Sequence, residues 1–352
     1  MRKLASIRKI DEIRPIPDAE LIECAVLGGW TVVVKRGEYK VGDLAIYCEV
    51  DGFIPTEVAP FLTKAGSEPR EYNGVKGERL RTVRLRGQLS QGLLLPLASN
   101  ATGFSYVYPY AAMTLLNGNI ICVKEGEDVT SFLGIQKWEP PIPACLAGQV
   151  AGPWPSLVQK TDQERAQNLG AEWPVLTTYS YEVTEKLEGS SMTAGIVNGE
   201  FVVCSRNLNL RETPENSLWQ QARRFKIEES MREHALDNLV IQGEIIGEGI
   251  QGNYYGIKGQ DFYVFDVLNL ATGKYLLPEQ RRALVAKLGL KHVPVLEETR
   301  NISGSIERLV SEADGFSHLN TQKLREGLVF KRVDGPEHFK TVSNKYLLKT
   351  GG

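Results

Sequence analysis

Ser180-Tyr181-Glu182-Val183-Thr184-Glu185-Lys186-Leu187-Glu188-Gly189-Ser190-Ser191 is the stretch whose reading decides how the second half of this chain folds. Its first residues alternate, with aromatic and β-branched side chains on one parity, which predicts a strand. A lysine then stands two residues before a carboxylate and three before a glycine. A lysine held at a strand end acts as a nucleophile where its surroundings remove its proton. The glycine lets the backbone turn tightly behind it. With average residue usage, a lysine, any acid two on and then a glycine turn up in roughly one chain in six of this length. The residues beyond Lys186 therefore decide the matter.

Ser205-Arg206-Asn207 ends the next predicted strand, Gly199 to Arg206. Gln242-Gly243-Glu244-Ile245-Ile246-Gly247-Glu248-Gly249-Ile250-Gln251-Gly252-Asn253 gives a carboxylate at a strand end and then a glycine-rich turn. Asp261-Phe262-Tyr263-Val264-Phe265-Asp266-Val267 reads as an aromatic strand, and Glu326-Gly327-Leu328-Val329-Phe330-Lys331-Arg332 as a carboxylate–glycine strand start carrying two cations. Phe339-Lys340-Thr341-Val342-Ser343-Asn344-Lys345-Tyr346 is a basic segment near the C-terminus. Between these strands, helices are predicted over Thr213 to about His234, Glu279 to Lys287 and Ile306 to Ala313. Thr161-Asp162-Gln163-Glu164 offers an N-cap and capping-box glutamate for one more, to about Asn168. The result is an α+β domain over residues 158–352.

The first half differs in kind. Gly28-Gly29-Trp30 leads into Thr31-Val32-Val33-Val34-Lys35, and Lys40-Val41-Gly42-Asp43 separates that run from Leu44 to Val50. Arg79 to Gly87 and Gln91 to Pro96 come next. Short strands with glycine turns over residues 1–137 predict an all-β barrel of the OB-fold type. Residues 100–119, with Tyr106, Tyr108 and Tyr110, read as an extended loop, and Gly126 to Gly134 as a brief closing helix. Residues 138–157 are too rich in proline to be regular and read as the interdomain linker.

Composition sets the bounds. At 352 residues with a formal charge of −2, the chain suits two domains and is no polybasic binder, although a local basic groove is enough for nucleic acid. Five cysteines (Cys24, Cys48, Cys122, Cys145, Cys204) form no Cys-x-x-Cys pair, which predicts free thiols and no zinc site. Four isolated histidines show no ligand spacing. The N-terminal residues lack an apolar core of signal-peptide length, and the apolar stretches fall short of a bilayer span, so a cytoplasmic location without membrane contact is expected.

Lys-x-(Asp/Glu)-Gly is the attachment motif of the covalent nucleotidyltransferases. The order Lys-x-Glu-Gly, Ser-Arg-Asn, Gly-Glu-Ile-x-Gly-x-Gly-Ile-Gln, Phe-Tyr-Val-Phe-Asp, Glu-Gly-x-Val-x-Lys and Phe-Lys resembles the ATP-dependent RNA ligases of the nick-sealing branch over about residues 158–349. The turn Gly37 to Asp43, the strand Arg84 to Leu93 and the segment Lys160 to Arg165 resemble the subgroup that carries an OB module in front. The resemblance implies an OB-fold barrel followed by an α+β covalent nucleotidyltransferase (adenylyltransferase) domain. DNA ligases and capping enzymes instead place an OB domain after it. A capping-type guanylyltransferase or DNA ligase is the alternative of the same class. A non-catalytic RNA-binding protein with a degenerate nucleotidyltransferase fold is the alternative of another.

By the same resemblance, Lys186 becomes adenylylated, and Arg206 works near the nucleotide phosphate and the RNA end. Glu244 holds the ribose hydroxyls, Phe265 stacks on adenine, Glu326 engages the metal, and Lys331 and Lys340 contact phosphates. Glu185 counts among the ATP-binding residues, and Glu188, Asp266 and Lys345 stand beside the set. The family often has Lys-x-Lys in its last motif, whereas Thr341 and Val342 come after Lys340, so the second contact is either missing or supplied by Lys345. ATP, Mg²⁺ or Mn²⁺, and RNA with 3′-hydroxyl and 5′-phosphate ends, as in a nicked duplex, are the implied cofactors and partner; no protein partner is implied. Lys76, Arg79, Arg81, Arg84 and Arg86 are the candidate RNA contacts of the barrel, with Arg84 and Arg86 on one face of a continuous strand. Adenylylation needs an unprotonated amine. A bound metal, with Arg206, Lys331 and Lys340, is expected to lower the Lys186 pKa; Glu185 and Glu188 oppose this, and metal binding is expected to tip the balance.

Overall fold

Runs of alternating apolar residues broken by glycine turns make the N-terminal part a set of short antiparallel strands. The computed structural model describes residues 3–97, 110–114, 118–139 and 148–350. The chain divides into two units, Met1–Pro141 with Leu347–Gly352, and Ile142–Tyr346.

The first unit begins with β1 (Ala5–Lys9), β2 (Glu12–Pro15), β3 (Ile22–Leu27), β4 (Trp30–Lys35), β5 (Leu44–Cys48) and β6 (Gly52–Pro55). It continues with β7 (Arg70–Tyr72), β8 (Val75–Arg79), β9 (Thr82–Leu85), β10 (Gln88–Gln91) and β11 (Leu93–Leu95). β12 (Tyr110–Thr114), β13 (Ile120–Lys124) and β14 (Gln136–Lys137) complete it. β5 lies between β1 and β11, β3 between β2 and β4, and β6 between β14 and β8. Ile7, Ile46, Ile54 and Val129 form one core cluster, and Ile10, Leu27, Trp30 and Tyr47 a second. The Tyr47 hydroxyl donates to the Gln91 carbonyl at 2.9 Å. At Gly92, φ is +116° and a Cβ would lie 2.5 Å from the Cys48 carbonyl oxygen, so only glycine lets β11 approach β5.

Three expectations for this half are corrected. Gly126 to Gly134 forms turns rather than a helix, because its backbone bonds go to β1: Gly126 N–H donates to Ile7 and Val129 N–H to Ala5, while the Thr130 hydroxyl accepts from the Leu4 and Ala5 amides. Within 100–119, β12 does pair with β13; Tyr106 and Tyr108 lie outside the described residues, as does Cys145. Arg79 to Gly87 is not one strand. Leu80, buried, exchanges backbone bonds with Asp51 and Gly52, which bends the chain between β8 and β9. β9 and β10 then form a hairpin whose two turn residues, Arg86 and Gly87, have φ of 47° and 81°, the geometry that suits a two-residue turn.

The second unit contains β15 (Val150–Pro153), α1 (Trp173–Leu176), β16 (Ser180–Lys186), β17 (Ser190–Val197), β18 (Glu200–Cys204) and β19 (Leu208–Leu210). Next come α2 (Ser217–Arg224), α3 (Ile227–Glu233), β20 (Leu239–Gly247), β21 (Gln260–Asn269) and β22 (Lys274–Tyr275). The remainder is α4 (Pro278–Lys287), β23 (Lys291–His292), β24 (Val295–Asn301), α5 (Ile306–Glu312), β25 (Gly327–Arg332) and β26 (His338–Val342), and α6 (Asn344–Thr350) begins in this unit and continues into the first. The larger sheet runs β15-β19-β18-β17-β20-β21-β22, with β23 parallel to β21, and the smaller runs β24-β16-β25-β26. Met192, Ile241, Ile245, Phe262 and Val264 bury one face of the larger sheet against Trp219, Ala222, Ile227, Met231 and Val285 of α2, α3 and α4. Tyr181, Val183, Leu328, Phe330 and Phe339 bury one face of the smaller sheet against α5. Leu187, Ile246, Tyr255 and Val293 form a cluster that links strands of both sheets.

The helix expected over 161–168 is reduced to a single 3-10 turn, Ala166–Asn168. Its capping-box glutamate binds locally, to the Arg165 amide and to Asn168, while the Glu164 carbonyl and Arg165 pair with Lys340 of β26. The helix expected over 213–234 is two: Asn216 caps α2 by accepting from Leu218 and Trp219, and Lys226, at φ 52°, breaks the chain before α3. Within the expected linker, Val150–Pro153 is regular, since β15 joins the larger sheet. Trp154 packs with Val158, Val240 and Leu268. Among the described residues no helix is long and apolar enough to cross a membrane.

Candidate active site

Strand register alone gathers the cations of the smaller sheet. Glu182 pairs with Lys331, Lys186 with Gly327, and Val329 with Lys340. Side chains alternate along a strand, so Lys186, Lys331 and Lys340 share the face opposite the apolar core. Glycine is required at two positions here. A Cβ on Gly189 would lie 2.3 Å from the Ile245 carbonyl oxygen, and one on Gly327 would lie 2.1 Å from that of Thr341. The motif glycine therefore serves close approach of β17's start to β20; its φ is not in the left-handed region.

Lys186 Nζ lies 2.6 Å from Glu326 Oε1. Burial opposes the charge on Lys186, but Glu326, Glu244 and Glu188 outweigh it and hold the ammonium above its ordinary pKa. In the ligand-free protein the carboxylates thus prevail at this amine; the lowering expected of Lys186 belongs to the metal-bound site. Glu244 sits on β20 opposite Ser191 of β17. Burial pushes its pKa up to about 8; Lys186 and Arg206 pull it down, while Glu326 and Glu188 push it further up. Burial and Glu326 likewise raise Glu188, whose carboxylate accepts from the Tyr346 hydroxyl and whose amide donates to the Tyr255 hydroxyl at 2.7 Å.

Glu244 supplies the first prediction. Its carboxyl titrates near 4.3 in an unfolded chain and at about 8 in the folded one. The folded state then holds the proton more tightly, so folding is progressively penalised as pH rises from about 4.3 to about 8. Glu244→Gln removes that penalty. It should stabilise the ligand-free protein at pH 8 by on the order of 1 kcal/mol, with little change at pH 4.5. Thermal melts of both proteins at the two pH values measure this; equal melting temperatures at pH 8 would contradict it.

Around Phe265 the larger sheet is irregular. Gly243 pairs with Val264 but Gln242 pairs with Asp266, leaving Phe265 as the extra residue of a bulge. Bulges re-aim side chains: Val264 and Val267 stay in the helix-covered core, while Phe265 joins the cluster that links the sheets. Asp266 receives Lys331 Nζ at 2.6 Å, and that ammonium also donates to the Phe265 carbonyl. Lys331 is nearly buried, which pushes its pKa down to about 8 against the pull of Asp266.

Other candidates fall elsewhere. Glu185 faces away from Lys186 by alternation, and its buried carboxylate accepts the His318 amide at 2.8 Å. Arg206 is exposed and paired with Asp162 at 3.1 Å. Lys345 is exposed and 3.9 Å from Asp314. Val342, two residues beyond Lys340 on the same strand face, is buried and apolar where the family often has its second lysine. In the barrel, Arg79 is held by Asp51 at 2.6 Å, Arg84 donates to the Gly87 carbonyl at 2.7 Å, and Arg86 occupies the hairpin turn. The two arginines of the expected common face thus sit at a hairpin tip.

Sequence reasoning missed two arginines. Arg165, buried, is the bridge partner of Lys340, and lay within a segment read as a helix. Arg281 of α4 is buried and bound to Glu182; nothing local in the sequence marks it. Removing one partner from such a buried pair costs about 3–5 kcal/mol.

Among the described residues no three metal-ligating side chains converge closely enough to hold a cation alone. Glu326, Glu244 and Glu188 nonetheless all act on one amine, and burial and neighbouring carboxylates raise the pKa of Glu244 and Glu188. That donor set fits a hard cation whose remaining ligands are phosphate oxygens and water.

The RNA ligase family profile matches residues 180–347, and an OB-fold domain profile matches residues 4–97. No curated protein matches the chain. Among solved structures, a Naegleria gruberi RNA ligase variant with ATP and Mn is 45% identical with a TM-score of 0.84, covering 98% of this chain and 98% of that one. A second variant, with AMP and Mn, has the same identity, TM-score and coverage. The same ligase with PPi is 45% identical at TM-score 0.84, over 99% of this chain and 98% of that one. An OB-fold domain followed by a ligase nucleotidyltransferase domain, matched end to end at this identity, means that the chain belongs to the RNA ligase family.

Proposed function

We propose that this RNA ligase uses ATP and a divalent cation, Mg²⁺ or Mn²⁺, to join RNA 3′-hydroxyl and 5′-phosphate ends through lysyl-AMP and RNA-adenylate intermediates. Nicked duplexes and RNA repair are the setting such chemistry suits. The observation that carries the reading is Lys186 Nζ at 2.6 Å from Glu326, on the sheet face shared with Lys331 and Lys340. The relatives solved with ATP, AMP and PPi, two of them with Mn, support the nucleotide and the metal.

Lys186 Nζ attacks the α-phosphorus of ATP; the bond to the β-phosphate oxygen breaks and pyrophosphate leaves. The amine must first lose its proton, which the surrounding carboxylates retain in the ligand-free site. Glu326, with Glu244 and Glu188 near it, would hold the cation, which supplies charge stabilisation to the transferring phosphoryl group when bound. Phe265 offers a ring to adenine and Glu244 an acceptor to the ribose. Lys331, Lys340 and Arg206 neutralise phosphate oxygens. The adenylate then passes to an RNA 5′-phosphate, and a 3′-hydroxyl displaces AMP. Incubation with α-labelled ATP or GTP, then with nicked duplexes carrying RNA or DNA at each end, tests this. ATP labelling with RNA joining is expected; GTP labelling, or joining of DNA alone, would overturn it.

The barrel reads as an RNA-positioning module of residues 1–137, with Arg84 and Arg86 at the β9–β10 tip as phosphate contacts. Replacing both with alanine should weaken RNA binding and reduce the slope of log affinity against log salt by about 1–2, leaving self-adenylylation intact. An unchanged slope would remove these arginines from the RNA contact.

A further inference from the structure

Beneath the proposed phosphate site lies a buried charge network to which the proposed chemistry assigns no part. Each nitrogen of the Arg281 fork meets a different strand. Nη2 donates to Glu182 of β16, Nε donates to His292 Nε2 of β23 at 3.0 Å, and Nη1 lies 3.7 Å from Asp266 Oδ1 of β21. His292 Nδ1 meets the Val293 carbonyl at 2.7 Å, so that nitrogen carries the proton and Nε2 is free to accept. Arg282 gives Glu182 a second cation. Asp266 Oδ1 is the shared point: the same oxygen receives Lys331 Nζ at 2.6 Å.

Lys331 holds Asp266 Oδ1 and the Phe265 carbonyl, so a shift of its ammonium toward a nucleotide phosphate weakens its hold on Asp266. Were it the sole partner, its departure would strand a buried carboxylate, a costly state. Arg281 changes that balance, because a second cation stays beside Oδ1. We propose that Arg281 is a positioning residue for the adenylylation step: by sharing Asp266 Oδ1 it lets Lys331 exchange that carboxylate for phosphate. This rests on the reading of Lys331 as a phosphate contact. Lysine cannot replace the fork, since one ammonium does not reach three strands at fixed angles.

The test is single-turnover self-adenylylation of the full chain with α-labelled ATP, in a double-mutant cycle of Arg281→Gln with Asp266→Asn, each variant checked by thermal melt. Arg281→Gln alone should slow the step about tenfold or more at saturating ATP. In the Asp266→Asn background, where no buried carboxylate is left to strand, the same substitution should change the rate less than about twofold. Equal losses in both backgrounds would mean that Arg281 only braces α4 through Glu182, and no loss in either would mean that it does nothing for the step; both overturn the proposal. If Arg281→Gln does not fold, the cycle is run with Arg281→Lys. A loss of about threefold or more that vanishes with Asp266→Asn is then expected, and one that persists overturns it. Lys331→Ala separates the two readings. If it labels at the wild-type rate, the role of Lys331 fails; if it is inactive while Arg281→Gln and Arg281→Lys are not slowed, the Arg281 inference alone fails.

Discussion

Lys186→Ala takes up no label from α-labelled ATP under conditions where the unaltered protein acquires one acid-labile AMP, a loss expected to exceed about 10⁴-fold. A methyl group offers no electron pair, so no slow residual reaction remains. Alanine also removes a cation that faces Glu326, Glu244 and Glu188. Lys186→Arg therefore serves as the control: it keeps a positive charge among the carboxylates but cannot be deprotonated. Both variants should be silent in intact-protein mass spectrometry, where the unaltered chain gains one AMP on the peptide containing Lys186. Label persisting in either variant, or mapping to another lysine, would refute the assignment.

Glu326→Ala should slow both self-adenylylation and the sealing of pre-adenylylated RNA by about 10²–10³-fold. Its carboxylate lies 2.6 Å from the proposed nucleophile, so a cation held there would supply charge stabilisation in both steps. The substitution has an opposing effect on the amine, since removing Glu326 takes away a cause of the raised Lys186 pKa. Rate loss despite an easier deprotonation would identify the metal as the dominant contribution. Single-turnover rates of the two steps over a range of Mg²⁺ and Mn²⁺ measure it, and an undiminished rate in either step would sink the role given to Glu326.

Much of this site was legible in the sequence because it rests on strand alternation. Ser180 to Lys186 does form a strand, β20 and β21 begin and end within a residue or two of expectation, and β25 starts at Gly327. The same alternation turns the Glu185 carboxylate to the side opposite Lys186. What escaped depended on neighbours far along the chain. Gly189 is glycine because β20 passes close behind the bend it makes between β16 and β17, not because its φ is left-handed. Phe265 and Asp266 would sit on opposite faces of a regular strand, and only the bulge against Gln242 and Gly243 lets Phe265 reach the linking cluster while Asp266 meets Lys331. The capping-box pattern at Thr161 was overridden by pairing with β26, and Arg281 gains its meaning only once α4 is packed over three strands.

The most direct measurement tracks one phosphorus atom. The protein is labelled with α-labelled ATP, freed of nucleotide and pyrophosphate, and mixed with metal and a nicked duplex bearing an RNA 3′-hydroxyl and a 5′-phosphate. The label is predicted to leave Lys186, appear on the RNA 5′ end, and emerge as AMP as the nick closes, with no further ATP needed. Label that stays on the protein, or a nick that closes without passing through the adenylylated end, would contradict the account.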